Sequence, residues 1–275
     1  MPEVSIVIPT YNREVELTRA MYSVKSQTFQ DWEMIVVDDC STDGTSVFVQ
    51  SWSLTDKRVK YYKTYKNTGS PVIPRNIGTK WASAPWIAYL DSDDYWHPQK
   101  LEWLLEEMKD RKVVLGFHNM KVAYASGRLE KWSQMSTCFS GKIFDELLRK
   151  NFIPTSSVIV DKKTVIKHGM MDVSLDVSHD WDLWLKIAFE NEIYYLDKQL
   201  GTLSIDDVNL GSVISDAHRR RRESRKVIKR WISYCDGMYY RKVMLYYYLM
   251  EVFDVLPMWM KTRIRSCWSK QEKYK

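Results

Sequence analysis

Apolar and polar positions alternate in blocks along the first hundred residues. Three of these blocks are short and mostly apolar: residues 4–9, 32–37 and 87–90. Such blocks are typical of strands that are buried on both faces of a parallel sheet. Between the first two blocks, Leu17, Ala20, Met21 and Val24 recur at helical spacing, which predicts an amphipathic helix over residues 13–27.

The intervening segments continue the alternation of strands and helices. Helices are predicted through residues 47–52 and at 75–78, with a more polar strand at 59–62 between them. Strand, helix, strand, helix, strand, helix, strand is the order of a doubly wound parallel sheet. Pro98 is then predicted to take the first position of a helix whose apolar stripe ends at Met108.

The second hundred residues predict further strands and one more long helix. The strands are expected at residues 113–117, 120–124, 157–160, 193–196 and 202–205. The helix opens at His179 and carries Trp181, Trp184, Leu185 and Ala188 on one face. The predicted fold is therefore α/β, with a mostly parallel sheet flanked by helices.

The block at residues 87–90 leads straight into the carboxylates Asp91, Asp93 and Asp94. Ligands of open α/β sheets bind outside the carboxyl ends of the strands, so a site is expected here. Asp91 and Asp93 point the same way if the extended geometry continues. Two carboxylates on one side suit a hard divalent cation such as Mn²⁺ or Mg²⁺. A solvated acidic turn is the alternative.

Charge divides the chain into two parts. Of the 41 Lys and Arg residues, 16 lie in residues 219–275 beside 5 of the 35 Asp and Glu, which leaves 25 basic and 30 acidic residues before them. We predict one domain over residues 1–218, with halves at about 1–110 and 111–218. Residues 219–275 form a separate helical, basic and aromatic extension.

Basic helices rich in Trp and Tyr are typical of segments that lie on anionic lipid. Helical packing of residues 219–275 onto the rest of the protein is the alternative. The most apolar stretch there, residues 243–256, is too short and too charged to span a bilayer. The first block is too short for a signal peptide, and the four cysteines lack metal-ligand spacing. We therefore expect a cytoplasmic protein with free thiols.

Five motifs, in this order, resemble those of the family 2 inverting glycosyltransferases of bacterial surface-polysaccharide assembly. They are Pro9-Thr10-Tyr11-Asn12-Arg13, Asp38-Asp39-Cys40-Ser41, Asn67-x-Gly69 with Arg75-Asn76-Ile77-Gly78, Asp91-Ser92-Asp93-Asp94, and His179-Asp180-Trp181-Asp182. The resemblance covers roughly residues 3–215. It implies the Rossmann-like GT-A fold, a nucleotide-sugar donor, a divalent metal and inversion at the anomeric carbon.

The resemblance also assigns the nucleotide pocket. It implies that Pro9, Thr10 and Tyr11 form a wall beside the uracil ring of a UDP-sugar. Asp39 would accept a hydrogen bond from N3–H of the base, although Asp38 and Asp39 can exchange roles at this point.

The later motifs imply which residues contact the sugar and diphosphate end of the donor. Arg75 resembles the basic residue that faces the nucleotide end of the donor, and Asp91 and Ser92 resemble residues near the ribose and sugar. Asp93 resembles the carboxylate that binds a Mn²⁺ or Mg²⁺ ion bridging the two phosphates.

Asp180 is the candidate catalytic base. Inversion by single displacement needs a carboxylate that takes the proton of the attacking hydroxyl, and a helix N-terminus keeps that carboxylate ionised. Many family members have Glu before this Asp, where this chain has His179. Trp181 and Trp184 are candidates for an acceptor-sugar platform, with burial in the core as the alternative.

One segment departs from the family pattern. Where members often carry Arg and then His after the last strand, this chain has Ser204 and Asp206. Asp206 is therefore a second candidate metal ligand.

Together these features predict an inverting hexosyltransferase that moves a sugar from a UDP-sugar to a polyprenyl-diphosphate-linked saccharide in polysaccharide or O-antigen assembly. It would act peripherally on the inner face of the cell membrane, with residues 219–275 on anionic lipid. A degenerate protein that only binds nucleotide sugars is one alternative. Nucleic-acid binding through the basic extension is another, but it leaves the strand-end carboxylates unexplained, so no nucleic-acid partner is expected. Nucleotidylyl transfer is disfavoured because residues 9–13 contain no glycine.

Overall fold

A computed structural model shows two compact units, Met1–Val208 and Asn209–Lys275. The described residues are 1–124, 126–131, 139–205, 219, 222–231, 234, 241, 243–245, 248–249 and 252. The boundary predicted after residue 218 stays a prediction, because residues 206–218 lie outside the described residues.

The first half of the larger unit follows the predicted alternation. Its elements are β1 (Val4–Thr10), α1 (Glu14–Lys25), β2 (Trp32–Asp38), α2 (Thr45–Thr55), β3 (Val59–Lys63), α3 (Val72–Trp81) and β4 (Trp86–Tyr89). Strands β3, β2, β1 and β4 lie side by side in that order and pair in parallel. Every residue of β1 and β2 is buried, as expected of strands covered on both faces.

The second half turns the sheet into a mixed one. Its elements are β5 (Tyr95–Trp96), α4 (Lys100–Lys109), β6 (Leu115–Tyr124), β7 (Leu129–Lys131), α5 (Phe144–Arg149), β8 (Ile159–Asp161), α6 (Lys162–Lys167), α7 (His179–Glu190) and β9 (Tyr194–Ile205). Within the described residues the strand order is β3-β2-β1-β4-β8-β6-β9-β5, and β7 pairs with β6. Strands β6 and β9 are parallel, whereas β8 is antiparallel to β4 and β6, and β5 to β9.

Three predicted boundaries were wrong. The strands expected at residues 113–117 and 120–124 form the single strand β6, and those at 193–196 and 202–205 form the single strand β9. The two strands pair with register shifts around Asn119, which interrupt the alternation that marks a strand in sequence. Pro98 lies in a turn, and α4 begins two residues later at Lys100.

Helix α3 packs unusually closely on the sheet. A Cβ atom at Gly78 would lie only 2.4 Å from Cγ1 of Val7 in β1, so a larger residue would push the helix away. The same helix carries Arg75, which is 4% exposed. The close packing thus fixes Arg75 near the carboxyl ends of the parallel strands.

The smaller unit is helical over residues 222–230, within the run predicted to be helical. Val227 and Ile228 are fully buried, and Lys226 forms an ion pair of 2.5 Å with Glu223. Most of the predicted extension, residues 219–275, lies outside the described residues. In the part of the chain that the structure describes, no helix is long and apolar enough to cross a membrane.

Candidate functional site

A cavity of about 450 Å³ opens where strands β1, β2 and β4 end. It is lined by the eight residues that the structure describes among the nine predicted to hold the donor or the metal: Pro9, Thr10, Tyr11, Asp39, Arg75, Asp91, Ser92 and Asp93. Sequence reasoning gave no role to Arg13, Ser70, Pro71 and Pro74, which also line it. The roles assigned to the eight residues stay predictions, but the fold brings them into one cavity.

Asp39 and Asp38 face different surroundings. Asp39 lines the cavity, and its carboxylate accepts hydrogen bonds from the Thr64 hydroxyl (3.0 Å) and from the N–H and hydroxyl of Thr68 (both 2.9 Å). Asp38 is fully buried and accepts from the Tyr61 hydroxyl at 2.6 Å. Asp39 is therefore the carboxylate of the pair that a base in the cavity can reach.

The residues after β4 form a turn, here named the carboxylate turn (residues 91–94). The backbone N–H of Asp94 donates to the carbonyl of Asp91 at 3.0 Å, so the extended geometry expected here does not continue. Asp91 and Asp93 nevertheless both line the cavity. Asp94 is 3% exposed and accepts from the Ser156 hydroxyl (2.6 Å) and the Ser204 N–H (3.0 Å).

The carboxylate turn concentrates negative charge. Burial, and then the charge of Asp91, raise the pKa of Asp93, while Arg13 at 3.2 Å acts in the opposite direction. Burial likewise raises the pKa of Asp94 well above its usual range. A cation at this turn would relieve the repulsion, so these residues fit a divalent metal.

The described residues do not form a complete metal cage. They contain no group of three or more His, Cys, Asp and Glu side chains placed to hold an ion. Mg²⁺ and similar ions are often bound by one or two carboxylates together with substrate phosphates, and Asp91 and Asp93 match that pattern. Asp206, the other candidate ligand, lies outside the described residues.

Arg75 connects the cavity to helix α7. Its guanidinium donates to Asp91 from one terminal nitrogen, and the other lies 2.5 Å from Nε2 of His179. Since Nδ1 of His179 faces the carbonyl of Asp176 at 3.2 Å, Nδ1 carries the proton and Nε2 accepts from Arg75. Burial, and then the charge of Arg75, lower the pKa of His179 to about 4. A neutral histidine thus stands where the resemblance to the family predicts Glu.

Asp180 lies in the first turn of α7, next to His179. Its carboxylate accepts hydrogen bonds from the Thr155 hydroxyl at 2.8 Å and from the N–H of Trp181 at 2.6 Å. It is partly buried, and it does not belong to the cavity wall formed by Arg75 and Asp91. The catalytic role of Asp180 stays a prediction.

The acceptor platform predicted from Trp181 and Trp184 was wrong. Trp181 is 2% exposed and donates its indole N–H to the carbonyl of Leu147 at 2.7 Å. Trp184 is fully buried and packs on Tyr89, with ring centroids 6.2 Å apart. Both side chains attach α7 to the core and cannot face a sugar.

Two residues that sequence reasoning left without a role support the carboxylate turn. Arg19 donates to the backbone carbonyl of Asp93 at 2.6 Å and to the Ser204 hydroxyl at 2.8 Å. The partners are distant in sequence, so no local pattern could have revealed these contacts. Ser204 thus faces the carboxylate turn from the strand where the family pattern departs.

Comparison with known proteins finds related sequences. The model of glycosyl transferase family 2 matches residues 5–170. An uncharacterized glycosyltransferase of Rickettsia felis is 31% identical over 74% of this chain, although the chain spans only 33% of that relative. The Escherichia coli UDP-Glc:alpha-D-GlcNAc-diphosphoundecaprenol beta-1,3-glucosyltransferase WfgD is 30% identical over 69% of this chain and 71% of its own length.

The fold is also that of a solved glycosyltransferase. The crystal structure of Staphylococcus aureus TarS residues 1–349 in complex with UDP-GlcNAc superposes with a TM-score of 0.70, at 21% identity. The match covers 90% of this chain and 71% of that one, and it confirms the predicted GT-A fold. With the family match over residues 5–170, these findings show that the chain belongs to glycosyl transferase family 2.

Proposed function

We propose that this protein transfers a sugar from a UDP-sugar to a saccharide linked to a polyprenyl diphosphate, with inversion at the anomeric carbon. The proposal is supported most by one cavity that is lined by eight of the nine predicted donor and metal residues, the ninth, Asp206, lying outside the described residues. WfgD is named for UDP-Glc as its donor and for a diphosphoundecaprenol-linked sugar as its acceptor. Those substrates belong to WfgD, and their chemical classes are what we propose for this chain.

The cavity offers complementary groups to each part of such a donor. Tyr11 is 45% exposed beside Pro9, so its ring can cover the face of a base. Asp39, held by Thr64 and Thr68, supplies the carboxylate that accepts from N3–H of uracil. Arg75 adds a fixed positive charge, which favours the nucleotide end of an anionic donor.

Inversion then requires a base opposite the leaving group. Asp180 takes the proton from the acceptor hydroxyl as that hydroxyl attacks the anomeric carbon. The hydrogen bonds from Thr155 and from the Trp181 N–H hold its carboxylate in place at the N-terminus of α7. The neutral His179 holds Arg75 without adding a second negative charge beside the base.

The metal side of the reaction rests on the carboxylate turn. Asp93, with Asp91 beside it, would hold a Mn²⁺ or Mg²⁺ ion that neutralises the diphosphate when donor is bound. Arg13 and Arg19 keep the turn in place through Asp93.

A lipid-linked acceptor would place the enzyme at a membrane. We infer peripheral association with the inner face through residues 219–275, supported by their 16 basic against 5 acidic residues. Replacing Arg219, Arg220, Arg221 and Arg222 together by Gln should lower binding of the full chain to vesicles rich in phosphatidylglycerol. Unchanged binding would show that these arginines do not contact lipid.

The test of the reaction uses purified full-length protein, Mn²⁺, a panel of nucleotide sugars and undecaprenyl-diphosphate-linked GlcNAc. We expect acceptor-dependent release of UDP from one donor. Asp180→Asn should reduce transfer at least 100-fold with UDP binding retained, because it removes the base and keeps the shape. Asp93→Asn should weaken Mn²⁺-dependent UDP binding.

Asp110→Asn, at the exposed end of α4, is the matched control and should behave as wild type. UDP binding without transfer to any saccharide acceptor would support the binding-only alternative. Absence of UDP binding with Mn²⁺ present would overturn the assignment of the cavity.

A further inference from the structure

A short 3₁₀ turn, named here the hydroxyl turn (Thr155–Ser157), lies between the candidate base and the carboxylate turn. Its three side chains are almost fully buried, at 7%, 0% and 0% exposure. It touches strands β4, β6 and β9, so it is anchored from several sides of the sheet. Neither the family motifs nor the cavity wall accounts for its three consecutive hydroxyl groups.

The first hydroxyl reaches the base. Thr155 donates to Oδ2 of Asp180 at 2.8 Å, while Oδ1 accepts the Trp181 N–H. A carboxylate with one donor on each oxygen is fixed in rotation. The Trp181 donor is part of the same helix, so Thr155 is the partner that orients Asp180 relative to the rest of the site.

The second hydroxyl reaches the carboxylate turn. Oγ of Ser156 accepts the N–H of Asp91 at 3.1 Å and donates to Oδ2 of Asp94 at 2.6 Å. The carbonyl of Ser156 accepts the indole N–H of Trp96 at 2.7 Å. These contacts hold the two ends of the turn that presents Asp91 and Asp93 to the cavity.

The third hydroxyl provides a contrast within the same turn. Ser157 is as buried as Ser156, but its hydroxyl donates to the carbonyl of Pro154 at 2.7 Å, inside the turn itself. It therefore contributes to local structure without contacting Asp91, Asp94 or Asp180 through that hydrogen bond.

We propose that Thr155 and Ser156 are positioning residues that fix the candidate base relative to the carboxylate turn. Thr155 acts through Asp180, and Ser156 acts through Asp91 and Asp94. This inference rests on the proposed function. Because the two residues are covalently adjacent, a shift of one side of the site is carried to the other. Misplacement of a reacting group by about 1 Å can cost about 100-fold in rate.

The two residues should have separable effects. Thr155→Val removes the hydroxyl at nearly constant shape, and we expect kcat for transfer to fall about 10- to 100-fold with UDP affinity unchanged within two-fold. Thr155→Ser restores the hydroxyl and should return kcat to within about three-fold of wild type.

Ser156→Ala should instead weaken Mn²⁺-dependent UDP binding about ten-fold, whereas Ser157→Ala, the matched control, should leave it within two-fold. Thr155→Ala is a second variant without the hydroxyl, to be used if Thr155→Val is unstable, and it should show the same fall in kcat with UDP affinity unchanged. Unfolding midpoints in urea are measured for every variant.

The outcomes separate this inference from the proposed function. If Asp180→Asn abolishes transfer while variants without the Thr155 hydroxyl keep the wild-type kcat, Thr155 does not position the base. If Ser156→Ala and Ser157→Ala affect UDP binding equally, Ser156 has no special role. If Asp180→Asn transfers sugar normally, the assigned base is wrong and the function itself must be revised.

Discussion

Trp184 gives a sharp test of whether helix α7 is attached through a buried core contact or presents a sugar-binding face. The indole is fully buried against Tyr89. Buried aromatic side chains remove about 200 Å² from water, and at about 25 cal/mol per Å² that area stabilises the fold by about 5 kcal/mol. Trp-to-Ala replacements in cores cost about 3–5 kcal/mol. We expect Trp184→Ala to lose about 4 kcal/mol of unfolding free energy.

A milder variant isolates the role in activity. Among the described residues, the indole N–H of Trp184 has no hydrogen-bond acceptor, so Trp184→Phe removes an unsatisfied donor together with some apolar area. The two effects oppose each other, and a net loss of about 1 kcal/mol is expected. Because the side chain faces no ligand, the KM for acceptor should stay within two-fold of wild type.

Urea unfolding followed by circular dichroism measures the unfolding free energy of each variant. Initial rates against acceptor concentration measure the KM for acceptor. The control is Trp81→Ala, since Trp81 is 57% exposed and stacks on Tyr62 at 5.0 Å. The Trp81→Ala variant should lose about 1 kcal/mol or less of unfolding free energy. A Trp184→Ala protein of wild-type stability with a raised acceptor KM would refute burial and restore the sugar platform.

Three further predictions concern pH, charge geometry and close packing. Burial lowers the pKa of His118 from 6.5 to about 3, so the unfolded chain binds a proton that the native chain excludes. When the pH falls from about 7.5 to about 5, wild type should therefore lose about 2 kcal/mol more unfolding free energy than His118→Met. Arg75→Lys cannot contact Asp91 and His179 with two separate nitrogens, so UDP affinity should fall about ten-fold in calorimetry, whereas Arg58→Lys should leave it unchanged. Gly78→Ala should cost about 1–3 kcal/mol of unfolding free energy through overpacking and should therefore lower the thermal midpoint. An unchanged midpoint would contradict close packing on Val7.

The first half of the fold was predictable because its signals are strong and local. Strands β1 and β2 are continuous apolar runs, and α1 places its buried residues on one face. Helices α5 and α6 span only six residues each, too short to show a helical period. Strand β5 has two residues and is defined by pairing with the distant β9.

The candidate site likewise has one part that the sequence could predict and one part that it could not. The donor wall could be predicted because the sequence clearly marks the strands where it lies: Pro9 is near the end of β1, Asp39 directly follows β2, and Asp91 comes just after β4. The supporting contacts could not, since Thr155 and Ser156 meet partners 25 to 65 residues away. For Trp184, one aromatic position on a helix fits a core and a platform equally well, and only its burial in the folded chain decides between them.

The pairing of β9 has a consequence for the order in which the enzyme becomes active during synthesis. Strands β1 to β4 and the nucleotide wall formed by Pro9, Thr10 and Tyr11 are complete once β4 has left the ribosome. The carboxylate turn is not, because Asp94 needs the N–H of Ser204, and Tyr95 pairs with Thr202. A nascent chain that ends before β9 therefore carries the nucleotide wall but lacks the contacts that complete the carboxylate turn. Activity should appear only after β9 docks, so incomplete chains do not consume donor.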